Sequence, residues 1–289
     1  MAHYLSVCAI FKDEAPYLAE WLTFYDTIGV DHFYLYDNSS TDRPDLVLKP
    51  WLDRGKVTLH PWAQNPGQLR AYGHCLSYRW RQTRWLMFVD LDEFLFSPVD
   101  PHLPAVLTRY ERFPGVGANW VMFGSSGHGT KPDAPVTLAY TRRAGLQFRM
   151  AERGMVRPGG DPAEVMDYYP QSCHIKTIVD AGRANTVLTP HSFGYRDGAL
   201  TVDETGKPIA SAPLYALTEE PRIEVLRVNH YFSKSLTEYR AKLSRRRADS
   251  GEGYPVDWML LKEQRCNALP DETILPIARR VAERLAGDA

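Results

Sequence analysis

The segment Trp85-Leu86-Met87-Phe88-Val89-Asp90-Leu91-Asp92-Glu93-Phe94 carries the most chemistry in the chain: an apolar run that closes on three acids. Such a run reads as a buried strand, and its acids then stand just past the strand's carboxyl end, where open α/β sheets bind ligands. A hard divalent cation, Mn²⁺ or Mg²⁺, gives Asp90 and Asp92 a reason to converge and leaves positions for phosphate oxygens. A bare Asp-x-Asp is common and can be an ordinary turn; the strand context and Glu93 bring the two readings level. A second set, Asp37, Asn38 and Asp42, offers acceptors to a ribose or base edge, although the same residue types also make plain turns. Lys12, Asp13 and Glu14 precede a helix whose N-terminus favours phosphate. In Asn229-His230-Tyr231-Phe232-Ser233-Lys234-Ser235, His230 can complete a Mn²⁺ site, and Lys234, Lys242 and Arg245 to Arg247 can hold a diphosphate. By itself that segment reads more readily as a core histidine beside a solvated basic helix face.

The elements that must position these groups alternate in period. Tyr4 to Phe11 reads as a strand buried on both faces, followed by a helix that Asp13 caps and Gly29 ends. Strands are expected at His32 to Tyr36, Val57 to His60 and Trp85 to Val89, with a helix over Gln68 to Arg81. This βαβαβ order predicts right-handed crossovers and a mostly parallel sheet. Further on, Leu103 to Tyr110 suggests a helix and Ala118 to Phe123 a strand. Short strands follow at Leu138 to Thr141, Ile175 to Val179, Thr186 to Leu188 and Ile223 to Val228, with Met155 to Pro162 and Asp203 to Pro213 as loops. Helices close the chain at Leu236 to Ala248, Val256 to Asn267 and Glu272 to Ala286.

Composition bounds the reading. With 289 residues, 44% of them apolar, the chain can offset its conformational entropy, so disorder is excluded and one large α/β domain fits. Its 34 basic and 35 acidic side chains leave a net charge of −1, against a protein that holds nucleic acid through global charge. The absence of a long apolar run and of a basic, cleavable leader reads as a soluble, unexported chain. Cys8, Cys75, Cys173 and Cys266 are dispersed, with no zinc spacing, and read as buried thiols in a reducing cytoplasm. Neither GxGxxG nor GxxxxGK[ST] occurs, which removes the usual dinucleotide fold and the P-loop NTPases.

Several blocks in order resemble glycosyltransferase family 92 and its bacterial family-2-like relatives. They are Phe11-Lys12-Asp13-Glu14, Tyr36 to Asp42, Gln68 to Cys75, Phe88 to Phe94, Trp120 to His128, His174-Ile175-Lys176, Asn229-His230-Tyr231, and Lys234-Ser235 with Lys242. The resemblance implies a GT-A fold: a Rossmann-like, mostly parallel sheet with helices on both faces and a loop-rich acceptor half. It divides residues 1–250 into a nucleotide-sugar half, 1–125, and an acceptor half, 126–250, with a helical tail over 251–289. It further implies a UDP-hexose donor, galactose being typical, a divalent metal held by Asp90, Asp92 and His230, and inversion at the anomeric carbon. The donor side takes in Lys12, Asp13, Glu14, Asp37, Asn38, Asp42, Arg70, Asp90, Lys234 and Arg245. Asp13 departs from the Asn common in relatives and adds charge near the diphosphate. Trp120 with Phe123 and the Gly124 to Gly127 turn suits a sugar platform, although Trp120 can equally be core, and Glu93 is a further substrate-binding candidate; His128, His191 and Lys176 are the catalytic candidates, and His174, Glu152 and Glu164 also lie where a base is needed. The acceptor is a glycan or lipid-linked oligosaccharide assembled in the cytoplasm or at the inner face of its membrane, which the basic helix and the C-terminal helices can touch. A nucleotidyltransferase acting on sugar phosphates and a non-catalytic nucleotide- or glycan-binding module remain as alternatives.

Overall fold

The structure, a computed structural model, describes residues 2–149, 170–210, 216–244, 253 and 256–287. Strand β1 (His3–Phe11) is nearly all apolar because both its faces are covered. Leu5, Val7, Ala9 and Phe11 enter one core, Cys8 and Ile10 the other, as a strand's two-residue period requires. β2 (His32–Asp37), β3 (Val57–Pro61) and β4 (Thr83–Phe88) complete a parallel block. The crossovers are α1 (Ala15–Thr27), α2 (Pro44–Asp53) and α3 (Gln68–Arg79). Leu18, Trp21 and Tyr25 of α1 and Leu48 and Trp51 of α2 fill the first core; Ala71, Tyr72, Cys75 and Leu76 of α3 fill the second.

Beyond the acidic turn come β5 (Glu93–Phe96), α4 (Leu103–Leu107), β6 (Gly115–Met122), α5 (Val136–Ala139), β7 (Arg142–Arg143) and β8 (Ile175–Asp180). They are followed by β9 (Ala184–Val187), β10 (Phe193–Tyr195), β11 (Arg227–His230), α6 (Leu236–Leu243), α7 (Val256–Arg265), β12 (Leu269–Pro270) and α8 (Leu275–Gly287). The main sheet has the order β3-β2-β1-β4-β8-β6-β11-β5, with β8 and β5 antiparallel to their neighbours. The carboxyl ends of β1, β2, β4, β6 and β11 and the amino ends of β8 and β5 therefore share one edge. The expected mostly parallel α/β sheet is present, and the four cysteines are buried free thiols.

Several local expectations are corrected. Asp13 does not cap α1: its own φ is 53°, and the first helical N–H, that of Ala15, donates instead to Asp42 Oδ2 at 2.8 Å. Residues 44–53, which carried no assignment, form α2. No strand forms at Leu138 to Thr141: its first two residues belong to α5, whose first N–H groups, of Val136 and Thr137, donate to the buried Glu20 at 2.7 and 2.9 Å. The strand expected from Ile223 begins only at Arg227, and β5 was not anticipated. Residues 155–162, and the ends of the loop expected to Pro213 and the helix expected to Ala248, lie outside the described residues.

The two halves interleave, since β8, from the second, is seated between β4 and β6. Nor does the tail stand apart. Ile274, Ile277 and Val281 join the first core, and Arg284 reaches Asp26 at 2.6 Å. Asp271 accepts from Arg143 at 2.6 Å and from Arg227, a nearly fully buried guanidinium of β11, at 3.0 Å. Removing one partner of a buried ion pair typically costs about 3–5 kcal/mol. Asp271→Ala is expected to lose a stability of that order in urea denaturation; a change within experimental error would show that the tail does not hold the sheet.

Candidate functional site

The acidic turn is built by its neighbours. Asp90 N–H donates to Glu93 Oε2 at 2.8 Å and Glu93 N–H to Asp90 O at 3.1 Å. From α1, Trp21 Nε1 donates to Asp90 O at 3.1 Å, and Tyr25 OH donates to Glu93 O at 3.0 Å while accepting from Leu95 N–H at 2.9 Å. Lys176, fully buried on β8, places its ammonium 2.8 Å from Asp90 Oδ2 and 3.2 Å from Glu93 Oε2. Gln68 and Tyr72, four residues apart on one face of α3, donate to Asp90 Oδ1 at 2.6 and 3.1 Å. Burial alone would lower the Lys176 pKa, but Asp90 and Glu93 raise it, so it stays an ammonium. Lys176 is thus a buried counter-ion rather than the catalytic group expected. Burial pushes the Glu93 carboxyl up to about 8, against the pull of Lys176 and with help from Asp90 and Asp92. Its Oε1 is buried without a partner. Glu93 supports the turn and is too buried to be the expected substrate contact.

Asp92 is differently placed. Its Oδ2 accepts from Lys242 Nζ of α6 at 2.5 Å, and its Oδ1 lies 3.6 Å from His230 Nε2 at the end of β11. Burial works to raise its pKa, but Lys242, His230 and Lys234 hold it well below the usual carboxylate range. Burial lowers the His230 pKa against the pull of Asp92, favouring neutral imidazole, and its Nδ1 has no partner. At 3.6 Å the pair is too far apart for a hydrogen bond. A carboxylate oxygen and an imidazole nitrogen are a donor set that Mn²⁺ accepts. The expected three-ligand set is not assembled: among the described residues no three His, Cys, Asp or Glu side chains group as a metal site, because Asp90 is turned onto Lys176, Gln68 and Tyr72. The residues that fit a cation are Asp92 and His230.

Beside them, Trp120 is the centre of an imidazole cluster. His174 stacks on it at 5.0 Å and 13°, His191 meets it edge-on at 5.0 Å, and His230 lies 4.5 Å away. Trp120 is only 9% exposed and its Nε1 is unpartnered, so it is a wall of the site rather than an open platform. His191 Nδ1 is 2.8 Å from Ile175 O and His174 Nδ1 3.1 Å from Gln171 O. Carbonyls only accept, so both rings carry their proton on Nδ1 and present Nε2 as an acceptor. His128 is spent elsewhere: its Nε2–H donates to Ala139 O at 3.1 Å, securing the loop after β6.

The β1 and β2 ends hold one another. Asp13 Oδ1 accepts from Thr41 N–H at 2.7 Å, and Asp37 Oδ1 from Ser40 N–H at 2.8 Å. Asn38 Nδ2 donates to Trp62 O and Gln64 O at 2.6 and 2.8 Å. Gln64 Oε1 also accepts from the exposed Arg70, at 3.2 Å. Asp13 lies in the left-handed region, at φ 53°, which Asp tolerates better than most residues because its short side chain can hydrogen-bond locally. Lys12 is exposed. Lys234 Nζ lies 3.2 Å from Glu14 and 3.4 Å over the Tyr17 ring. These residues stand around the edge that holds the carboxyl ends of β1 and β2, most of them with side chains engaged in shaping it.

Phe123 and Gly124 are not platform residues. Phe123 is buried against Tyr231 at 4.7 Å, and a Cβ at Gly124 would lie 2.5 Å from the Asn267 side chain, so the glycine admits the tail rather than a sugar. Arg245 to Arg247, Glu152 and Glu164 lie outside the described residues. The sequence marks Gln68 and Tyr72 only as part of a matching block, with no role assigned, and does not mark Lys262. The four-residue spacing of the first two is a readable signal. Lys262 has none, since only the fold brings its ammonium within 3.2 Å of Gln171 Oε1 and 4.8 Å of the Phe232 ring centre.

The chain matches the model of glycosyltransferase family 92 over residues 3–247. It is 33% identical over 161 residues to a glycosyltransferase family 92 protein of Oryza sativa subsp. japonica, covering 54% of this chain and 27% of that protein. With one from Ricinus communis it shares 25% over 261 residues, 89% of this chain and 39% of the relative. A galactan beta-1,4-galactosyltransferase of Arabidopsis thaliana is 32% identical over 106 residues, 32% of this chain and 21% of that protein. The chain spans less than half the length of these relatives. Among solved structures, S. aureus TarS 1-349 in complex with UDP aligns with a TM-score of 0.38 at 13% identity, over 62% of this chain and 47% of that one.

The imidazole cluster has a pH signature. Burial, with Lys262 and His230 against the Gln171 carbonyl, lowers the His174 pKa from 6.5 to about 3. The unfolded chain therefore takes up a proton near pH 6.5 that the folded chain refuses until about pH 3. Stability contributed by neutral His174 is full above that window and lost as pH falls through it. His174→Phe, which keeps an aromatic stack on Trp120, is expected to flatten the fall in urea midpoint on acidification; a slope as steep as the wild type's assigns the loss to other groups.

Proposed function

The chain belongs to glycosyltransferase family 92, and we propose that it transfers a hexose, galactose by preference, from a UDP-sugar to a glycan or glycolipid hydroxyl with inversion, assisted by Mn²⁺ or Mg²⁺. The observation that carries this reading is the Asp92–His230 pair with Lys242 beside it, set at the sheet edge where the loops of β1, β2 and β4 meet. The family assignment supports glycosyl transfer. Relatives named as galactan galactosyltransferases support galactose, over about a third of the chain. Among the described residues no helix is long and apolar enough to cross a membrane.

The reaction asks for two things. The leaving diphosphate must be neutralised, and the acceptor hydroxyl must lose its proton as it attacks. A divalent cation held by Asp92 and His230 would supply Lewis-acid neutralisation of the phosphate oxygens. The ammonium groups of Lys242 and Lys234 share that charge, each able to leave its carboxylate for a phosphate oxygen. Asp90 stays with Lys176 and keeps the turn in shape. The acceptor proton goes to His191 Nε2. That nitrogen has its lone pair free because Nδ1–H is committed to Ile175 O, and burial, with Lys176 and His174, keeps the ring neutral.

UDP binding followed by thermal shift is expected to strengthen when Mn²⁺ is added, and Asp92→Ala to abolish the metal-dependent part while leaving a folded protein. Equal UDP binding with and without metal in the wild type removes the metal from the proposal. For the base, His191→Ala is expected to lower kcat by about 10²–10⁴-fold with the donor KM little changed. An unchanged kcat in UDP-release assays places the base elsewhere.

A further inference from the structure

Helix α3 runs antiparallel to its neighbouring strands, so Gln68 touches Asp90 at one end and Trp80 lies at the opposite pole, about 18 Å away at 1.5 Å per residue. We propose that this opposite pole is a docking surface for an anionic phospholipid bilayer. Its arginines are stitched into one patch. The guanidinium carbons of Arg81 and Arg196 lie 4.6 and 5.6 Å from the Trp80 ring centre. Arg196 N–H donates to Arg183 O at 3.0 Å, Arg183 donates to Arg112 O at 3.1 Å, and Arg112 stacks on Phe113 at 4.7 Å. The acids nearby are engaged: Asp197 is paired with Arg183 at 2.5 Å, Asp180 with Arg84 at 3.4 Å, and Glu111 accepts from Tyr4 at 2.9 Å.

An arginine lying on an aromatic face keeps its in-plane N–H donors pointing outward, in the fork that phosphate oxygens accept. The chain as a whole carries a net charge of −1, so the patch is a local concentration of charge. A polyanion in solution would need the arginines alone. The aromatic residues favour a bilayer instead: Tyr78 is 68% exposed and Trp80 is partly so, and amphipathic rings of this kind settle at the headgroup level between water and acyl chains. Docked in this way the molecule turns its acidic edge away from the membrane. The inference does not depend on the transferase reading, because none of these side chains belongs to the acidic edge.

The test is cosedimentation of the full chain with phosphatidylcholine vesicles, with and without phosphatidylglycerol. Binding only to the anionic vesicles, weakening with added salt, is expected. The variant Arg81→Gln/Arg112→Gln/Arg196→Gln is expected to lose about a hundredfold in partitioning, from roughly one kilocalorie per mole for each arginine near an anionic surface. Arg43→Gln/Arg54→Gln/Arg279→Gln, with the same change in net charge on exposed sites elsewhere, keeps wild-type binding. Both triple variants should unfold at the wild-type midpoint in urea, which shows that they are folded. Failure of the wild type to bind anionic vesicles, or equal loss in the two variants, overturns the proposal. So does wild-type retention on heparin without any retention on vesicles.

Discussion

The ammonium of Lys176 is the fixed point of the molecule. Three acids within four residues, at the end of a buried strand, cannot all be ionised in a low-dielectric setting without a counter-charge, because each unpaired buried ion costs several kcal/mol. Lys176 answers Asp90 and Glu93 from a fully buried position, and Glu93, with a pKa of about 8, relieves the remaining repulsion by keeping a proton. This arrangement requires β8 to run antiparallel beside β4. The reversal in the sheet is thus tied to the electrostatics of the turn, and the turn to a strand more than eighty residues further along the chain.

The other cations of the edge are held less completely. The Lys242 side chain is 29% exposed and that of Lys234 10%, whereas that of Lys176 is 0% exposed. An ammonium that reaches solvent can exchange one oxygen partner for another at modest cost, since water shares the transition; a fully buried one would leave two acids stranded. On the transferase reading, a diphosphate therefore draws on Lys242 and Lys234 and leaves Asp90 in the grip of Lys176. The net charge of −1 conceals this polarity. Acids and lysines face one another at the ligand edge, and arginines gather at the far pole.

Local signals made the strands of the first half legible, because a strand covered on both faces is apolar throughout and a short polar cluster ends it. The same signals put Asp90, Asp92 and His230 at one edge. They could not say which way each side chain turns. Asp90 faces α3 and β8, so it left the expected ligand set through Gln68, Tyr72 and Lys176, partners whose reach only the folded sheet fixes. The aromatic residues misled for a related reason. Trp120 and Phe123 carry no mark in sequence that separates a wall from a platform, since both uses ask for a large ring beside glycine. At Leu138, apolar spacing over four residues could not tell a strand from a single helical turn, and the decision lay with Glu20, which supplies the turn's capping acceptor from α1.

The tail poses the opposite problem, of a segment that reads as an appendage and is not one. The family match ends at residue 247, yet Arg227, inside it on β11, has its counter-ion at Asp271, outside it. The turn after β6 depends on the tail as well: Ser125 and Ser126 N–H donate to Glu263 and Asn267 at 3.0 and 2.7 Å. A guanidinium buried in the central sheet cannot be left without its acid, so in this chain the unit that folds is longer than the unit that matches. Lys262 extends the same dependence to the site, bringing a charge from beyond the matched region against Phe232 and the imidazoles around Trp120. The family model ends before these residues, and the local field at the edge is completed by charges that lie beyond it.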